Sequence, residues 1–507
     1  MLRYASVKRL VISGFSLAAA LTATAQSGPA HENRVITLHE LLVGALNTNL
    51  ELRAKRLDPE MQDLRVAAAL GAFEPSLVAS ASYSSIERPR TFAERTSLIF
   101  SFSGGDPVTR EDIGRFQTGV AGRLPFGTTY EVLTGFDELR SNTNQFNSEF
   151  ITNSTINFTQ PLLKDFGYKA GLAEVRLQRQ AAAATRQELR AVILRVLRDV
   201  SNAYHEMAFA QENVAVKEQA VAVAADLVRE NQRRVDEGRM APIDVTQAQS
   251  RLSEAREELL LARNFLAQRR NALRELTRDK FDENENFLVD GSFVSTSAPA
   301  PVERTVALAA LYNKNPSYLA SVELAKAEDV RIAYAENQNL PRVDLKASYG
   351  YNGLGNSLTR TYRNYWERDQ PSWSAGLVVN LPVWDKTGKA RLSEAKKRKE
   401  QALLSIQRTE VALLAALDTA MRDIQNATER VSLVKDTVRL AESALGAELK
   451  RLGSGMTTSF NVAQAQRDLS TARSRELATY VDLNKAVTNL NFVLGTLHEE
   501  LRVNIAE

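Results

Sequence analysis

Apolar residues in the middle of the chain recur at alternating spacings of three and four, over a stretch much longer than an ordinary helix. Neither proline nor glycine occurs between Gly171 and Gly238. The spaced positions are Leu189, Val192, Val196, Val200, Ala203, Met207, Ala210 and Val214. This spacing is typical of a helix in a coiled coil. At about 1.5 Å per residue, such a helix would be roughly 100 Å long.

A similar pattern runs from Leu417 to Leu445, so two long helices are predicted. A second apolar seam lies beside the first one, at Ile193, Leu197 and Tyr204. Each long helix is therefore expected to pack against more than one neighbour. The helices alone would also fit an isolated rod-like coiled coil.

Three other segments alternate between apolar and polar residues with a period of two, which predicts β-strands. They are residues 343–351, 150–158 and 373–381. Each has about the ten residues that a tilted membrane strand needs. The side chains expected to face lipid are Val343, Leu345, Tyr349, Tyr351, Phe150, Ile156, Phe158, Trp373 and Leu377. A sheet in water with one buried face stays an alternative for the strands taken alone.

One chain holds about four to six such segments, whereas outer-membrane barrels have at least eight strands. Several chains would have to combine to close a barrel. The strand segments thus predict an oligomer.

The two halves of the chain resemble each other. Pro75 matches Pro341, Pro161 matches Pro382, and Gly238 matches Gly455 when the halves are aligned. We predict a first strand and long-helix unit at 26–280, a linker at 281–302, a second unit at 303–498 and a tail at 499–507. The paired prolines are 86 positions apart in the first half and 41 in the second. The extra residues are expected to form an added hairpin or a surface loop.

The first residues predict a secretory signal peptide at 1–25. Arg3, Lys8 and Arg9 precede an apolar run from Leu10 to Leu21, and small residues follow. The run is shorter than the roughly 20 residues of a membrane-spanning helix. The whole chain has 64 Lys and Arg and 61 Asp and Glu, so that it is almost neutral once these three basic residues are removed with the signal peptide. A nucleic-acid partner is not expected, because it would call for a basic excess.

The chain lacks cysteine, so disulfides and a lipidated N-terminal cysteine are excluded. Its four histidines are each followed by Glu, but none has a second histidine four positions later, as the zinc-protease motif requires. Neither a Gly-x-Ser-x-Gly motif nor a complete phosphate loop occurs. We expect no enzymatic activity, no metal site and no cofactor.

Taken in order, these features resemble the TolC-type outer-membrane efflux protein family, also called outer membrane factors. The resemblance is carried by the entry segment Leu38 to Leu52 with Asn47-x-Asn49, by Gln160-Pro161-Leu162-Leu163, and by two similar turn motifs. The first turn motif runs from Glu237-Gly238 to Ala248-Gln249, and the second from Gly455 to Ala465-Gln466.

The resemblance implies a fold that is mostly α with membrane β. Three chains would each give four strands to a 12-stranded β-barrel, which a long α-helical coiled-coil barrel continues into the periplasm. It also implies an outer-membrane exit duct of a tripartite efflux or type I secretion system, in contact with outer-membrane lipid, a periplasmic adaptor and an inner-membrane pump. The alternative is a soluble periplasmic coiled-coil scaffold or adaptor.

In that family the two glycine turns form the periplasmic entrance of the channel. The matching residues, expected at the constriction, are Gly238, Asp244, Gln247, Gly455, Asn461 and Gln464. Asn461 and Gln464 are uncharged where some members carry an acidic ring, so strong cation selectivity is not expected. A polar residue in the first turn of a helix can equally be a cap.

Overall fold

The computed structural model describes residues 34–92, 108–143, 147–277, 287–291, 302–367 and 370–505. The predicted signal peptide at 1–25 and much of the predicted linker at 281–302 lie outside these residues.

The first half of the chain runs from a three-residue strand and two helices through four longer strands into a long helical hairpin. Its elements are β1 (Arg34–Ile36), α1 (Leu38–Thr48), α2 (Leu50–Leu70), a 3-10 turn (Gly71–Phe73), β2 (Ser76–Pro89), β3 (Val108–Arg123), β4 (Thr129–Ser141), β5 (Glu149–Pro161), α3 (Gly167–Gly171), α4 (Ala173–Asp236) and α5 (Pro242–Thr277).

The second half follows almost the same order, with a short helix between its two long strands. Its elements are β6 (Phe287–Val289), α6 (Arg304–Lys314), α7 (Pro316–Gln338), β7 (Arg342–Gly355), α8 (Leu358–Glu367), β8 (Pro371–Asn380), α9 (Lys386–Gly453), α10 (Ser459–Leu494) and α11 (Leu497–Glu500). The two predicted long helices are confirmed as α4, with 64 residues, and α9, with 68.

Two matched asparagines start the second helix of each half and tie it to the end of a long hairpin. The Asn49 side chain accepts a hydrogen bond from the Leu52 amide and donates one to the Leu276 carbonyl. Asn315 accepts from the Tyr318 amide and donates to the Val493 carbonyl. Both asparagines are buried, which fits an N-cap whose remaining polar atoms are also bonded.

Six strands form one antiparallel sheet in the order β2-β3-β4-β5-β7-β8. The three predicted strand segments are confirmed as β7, β5 and β8, although Leu381 lies one residue beyond β8. The extra residues of the first half form the hairpin β3–β4, as one of the two expectations had it. The sheet therefore has six strands, two more than the four that the family resemblance implied for each chain's share of the barrel.

The main core surrounds the middle of α4, where Leu197, Val200 and Met207 pack against residues of α1, α2 and α5. β1 and β6 form a separate parallel pair, and Phe287 and Val289 of β6 belong to this core. Part of the predicted linker is thus packed. The predicted tail begins inside α11, and Val503 is buried in the same core. None of the described helices is long and apolar enough to cross a bilayer.

Candidate functional site

The strand register decides which side chains share a face of the sheet. Tyr349 lies opposite Ile156 on one side and Trp373 on the other. Leu345 lies opposite Leu377. Since paired residues in a ladder point to the same side, all nine residues predicted to face lipid share one face. This face is uncovered: Trp373 is 75% exposed and Leu377 58%.

The same face continues across β2, β3 and β4, which were not among the three predicted strand segments. Its larger apolar members there are Leu77, Tyr83, Phe116, Val120, Tyr130, Val132 and Phe136. The alternation at residues 77–83 and 130–136 was the signal that could have shown it. Hydroxyls on this face can bond each other, as Thr134 and Ser154 do at 2.7 Å.

Charged residues on the apolar face occur at the sheet end farthest from the long helices. They are Glu87, Arg110, Asp112, Glu138 and Arg140. Below them, the face carries no Asp, Glu, Lys or Arg on any of the six strands. This charge-free band is what a lipid-facing surface requires.

The opposite face of the sheet is mainly polar. It carries Ser80, Ser82, Arg115, Gln117, Glu131, Asp137, Asn153, Asn157, Lys346, Ser348 and Ser374. Arg115 and Asp137 lie opposite each other on β3 and β4 and form a two-bond ion pair, at 3.0 and 2.9 Å. Below the charged end, the two faces thus differ in charge, although the second face also carries apolar residues such as Val78, Leu133 and Val378.

At the far end of the molecule, two tight turns reverse the chain between α4 and α5 and between α9 and α10. Gly238 and Gly455 have φ values of +69° and +72°. This left-handed conformation favours glycine, because other side chains are strained there. The predicted positions of both turns are confirmed.

The polar residues predicted at these turns lie in the first two turns of α5 and α10. Asp244 is partly buried, and Gln247 and Asn461 are exposed. The Asn461 amide donates to the Thr457 hydroxyl at 3.1 Å, and the Gln464 amide donates to the Asp468 carboxylate at 3.0 Å. The predicted role of these residues in a constriction stays a prediction.

Two polar contacts join the hairpins near their tips. The Ser459 hydroxyl donates to the Asn231 side chain at 2.9 Å, and Asn231 donates to the Asp244 carbonyl at 3.3 Å. The Arg234 guanidinium donates to the Leu452 carbonyl at 3.3 Å. Asn231 has no exposed surface. Sequence reasoning missed it, although a polar residue four positions after Leu227 on an apolar seam was a usable signal.

Partly exposed charged groups lie in the middle of the helical part. Glu206 accepts hydrogen bonds from Lys485 and from Arg269, the latter at 2.6 Å. Burial, with Lys485 nearby, lowers the pKa of the adjacent His205 to about 4. In the part of the chain that the structure describes, no group of three or more His, Asp or Glu could hold a metal ion.

A sequence model of the family described as outer membrane efflux protein matches residues 132–277 and 312–496. The chain belongs to the outer membrane efflux protein family. Members of this family are channel proteins of the outer membrane, and this protein is accordingly located in the outer membrane.

Individual relatives are distant but long matches. The outer membrane protein TolC of Vibrio cholerae is 24% identical over 396 residues, which cover 76% of this chain and 86% of the relative. The outer membrane efflux protein BepC of Brucella suis is 24% identical over 323 residues, covering 62% of this chain and 65% of the relative.

Solved structures share the fold of this outer membrane efflux protein. The channel CusC superposes with a TM-score of 0.66 at 16% identity, covering 90% of this chain and 92% of CusC. The outer membrane protein VceC of Vibrio cholerae has a TM-score of 0.62 at 20% identity, covering 90% and 96%.

Proposed function

We propose that this outer membrane efflux protein is a homotrimeric exit duct of a tripartite efflux or type I secretion system. Its β-sheets would form a barrel in the outer membrane, and its helices a tunnel in the periplasm. Transport through it would be passive, because the energy comes from a partner pump. The observation that carries the proposal is the two-faced sheet with unpaired edges.

The two edge strands of the sheet need strands of other copies to pair with. Among the described residues, β2 pairs with β3 alone and β8 with β7 alone, so each leaves one edge open. Unpaired backbone groups cannot remain in lipid, which leaves a closed barrel as the solution. With an even number of antiparallel strands, β2 and β8 run in opposite directions. The β2 edge of one copy can therefore pair antiparallel with the β8 edge of the next.

The helices also leave room for a neighbour. Within the chain, α7 packs against both α4 and α9. Its counterpart in the first half, α2, packs against α4 and exposes Leu50, Leu57 and Leu64, which are spaced by seven residues. The α9 helix of an adjacent copy would cover this seam as α9 covers α7 within the chain. Each of three copies would contribute one α2 and one α7, so that six similarly packed helices would surround the tunnel.

The tips are proposed as the periplasmic entrance, where an adaptor and an inner-membrane pump dock. Asp244, Gln247, Asn461 and Gln464 would line it near Gly238 and Gly455. Because Asn461 and Gln464 carry no charge, the entrance should show only weak selectivity for cations over anions. The contacts of Asn231 and Arg234 across the two hairpins would hold it narrow.

Two measurements test the proposal. Protein purified in mild detergent should have the mass of a trimer and form pores in planar bilayers. A monomer without pore activity would overturn the duct. Fractionation with Sarkosyl separates the alternative, since recovery in the soluble periplasm would indicate a scaffold or adaptor.

A further inference from the structure

We infer that the hairpin β3–β4 is part of the membrane wall, so that three copies close a barrel of 18 strands instead of 12. The inference rests on the proposed trimer and concerns the width of its barrel. It follows from strand order, from the chemistry of the two hairpin faces, and from the way the hairpin turn is held.

The order of strands places the hairpin inside the sheet and not on its surface. β3 pairs with β2 from Ser76–Ala121 to Pro89–Val108, and β4 pairs with β5 from Thr129–Thr159 to Leu139–Glu149. β2 and β5 are therefore three strand spacings apart, about 14 Å. A four-strand contribution would require both ladders to break and β2 to pair directly with β5.

The hairpin also has the two faces of the rest of the wall. Phe116, Val120, Val132 and Phe136 continue the charge-free face, and the rings of Phe116 and Phe136 lie 5.8 Å apart. The Phe136 ring lies 6.4 Å from that of Phe150 on β5, so the aromatic row crosses into the neighbouring strand. A flap in water would expose this row, whereas a wall position places it in lipid.

Two glycines on the polar face of the hairpin mark close approach of the strands. A Cβ atom on Gly119 would lie 2.0 Å from the Val132 carbonyl oxygen, and one on Gly135 would lie 2.2 Å from the Phe116 carbonyl oxygen. Glycines at such points let a sheet bend tightly. Their position indicates curvature toward the polar face, as in a barrel with a polar lumen.

The turn of the hairpin is fixed to the body of the chain. The Gly167 amide donates to the Phe126 carbonyl at 3.0 Å, and the Thr128 hydroxyl bonds the Gln160 side chain. A Cβ atom on Gly171 would lie 2.0 Å from the Pro125 carbonyl oxygen, so the turn lies directly against α3. The hairpin is thus anchored level with the end of β5.

Six strands per chain would widen the barrel. With strands about 4.8 Å apart and tilted by about 40°, opposite backbones are about 24 Å apart in a 12-stranded barrel and about 36 Å apart in an 18-stranded one. The duct would therefore be wider at the membrane than a four-strand relative.

Cysteine labelling tests the inference, since the chain has no cysteine of its own. Phe116→Cys and Gln117→Cys place thiols on the two faces of β3, and Leu345→Cys and Lys346→Cys do the same on β7 as a reference. The full-length protein in outer-membrane vesicles is treated with a membrane-impermeant maleimide. Lipid-facing thiols should react at least about tenfold more slowly than their lumen-facing neighbours, in both strands. Val132→Cys and Glu131→Cys repeat the comparison on β4.

The outcomes separate the two proposals. Alternation on β3, β4 and β7 supports the wide barrel. Alternation on β7 with equal labelling on β3 and β4 overturns the wide barrel and leaves the duct intact. Equal labelling on β7 as well contradicts the duct itself. Cryo-electron microscopy of the trimer in nanodiscs gives a direct count, in which 12 strands with the hairpin outside the ring would overturn the inference.

Discussion

The two longest helices occupy matched places in the two halves but are buried to very different extents. α4 has 18 buried residues and α9 has six, although α9 is the longer helix. No large apolar side chain of α4 is exposed. In α9, by contrast, Val411, Leu433 and Leu440 are exposed by 67%, 66% and 63%.

The difference in burial arises from the number of helices that surround α4 and α9. α4 packs against α2, α5, α7 and α10, so the chain itself surrounds it. α9 packs against α10 and α7 and leaves an apolar side open. Exposed apolar patches of this kind mark interfaces. The apolar surface of α4 is therefore buried within one chain, whereas the exposed apolar side of α9 is expected to pack against another copy.

The largest expected effect comes from charging the open side of α9. The double substitution Leu433→Asp and Leu440→Asp should abolish the trimer, because it places unpaired carboxylates in an apolar interface. Mass measurement in mild detergent should then give a monomer, while circular dichroism retains its helical signal. Ser432→Asp with Arg439→Asp, one position earlier on another side of the helix, is the matched control. A persistent trimer in the first variant would mean that α9 does not face a neighbouring copy.

The sheet offers the second test, because its exposed apolar side chains should face lipid and not protein. Leu345→Arg should cost about 2 to 4 kcal/mol if the residue lies near the bilayer midplane. The adjacent Lys346→Ala should assemble normally, since that position faces the other way. Folding into lipid vesicles, followed by urea titration, measures both. Equal tolerance of the two substitutions would show that the faces of β7 are assigned wrongly.

Periodicity predicted the long helices and the strands β5, β7 and β8, because each has a pattern set by its own backbone geometry. The match between Gly238 and Gly455 in the two halves predicted the two glycine turns. It also placed nine residues on a face that the strand register now shows to be continuous. Position in the repeat indicated the extra residues of the first half, although a hairpin and a loop could not be distinguished.

Other features depended on contacts between distant parts of the chain. The hairpin β3–β4 joins the sheet through ladders that its sequence does not specify, so the predicted range of four to six strands could not be narrowed to six. The packing of β6 within the predicted linker follows from the core around α4. The bond between Asn231 and Ser459 joins residues 228 positions apart. Local patterns carry no information about such pairs.

Acid should weaken the interior of α4. His205 is buried and its pKa is lowered to about 4, so it is neutral in the folded protein at neutral pH. The unfolded chain binds a proton more readily, since its histidine titrates near 6.5. The free energy of unfolding that depends on neutral His205 is fully present above about pH 6.5. It is lost as the pH falls toward 4, by up to about 3 kcal/mol per chain.

The measurement for His205 is unfolding of the detergent-solubilised protein at pH 7.5, 6 and 4.5, compared with His205→Gln. The variant should lose less stability between these values, because it has no ionisable group at this buried position. Carboxylates titrate in both proteins and cancel in the difference. Parallel loss of stability in the two proteins would show that His205 does not carry the pH dependence.

The smallest effect should come from Asn231 near the tip of α4, a polar residue that lies on the buried and otherwise apolar seam of the helix. Asn231→Ala removes the partner of the Ser459 hydroxyl and should cost about 1 to 2 kcal/mol. Because that bond joins the two hairpins, its loss should also raise the conductance of single channels in planar bilayers. Gln232→Ala is the control, since Gln232 is exposed and bonds Asp236 within α4. If Asn231→Ala conducts like the control, the burial of Asn231 serves packing alone, and the proposed narrow entrance does not depend on its bond to Ser459.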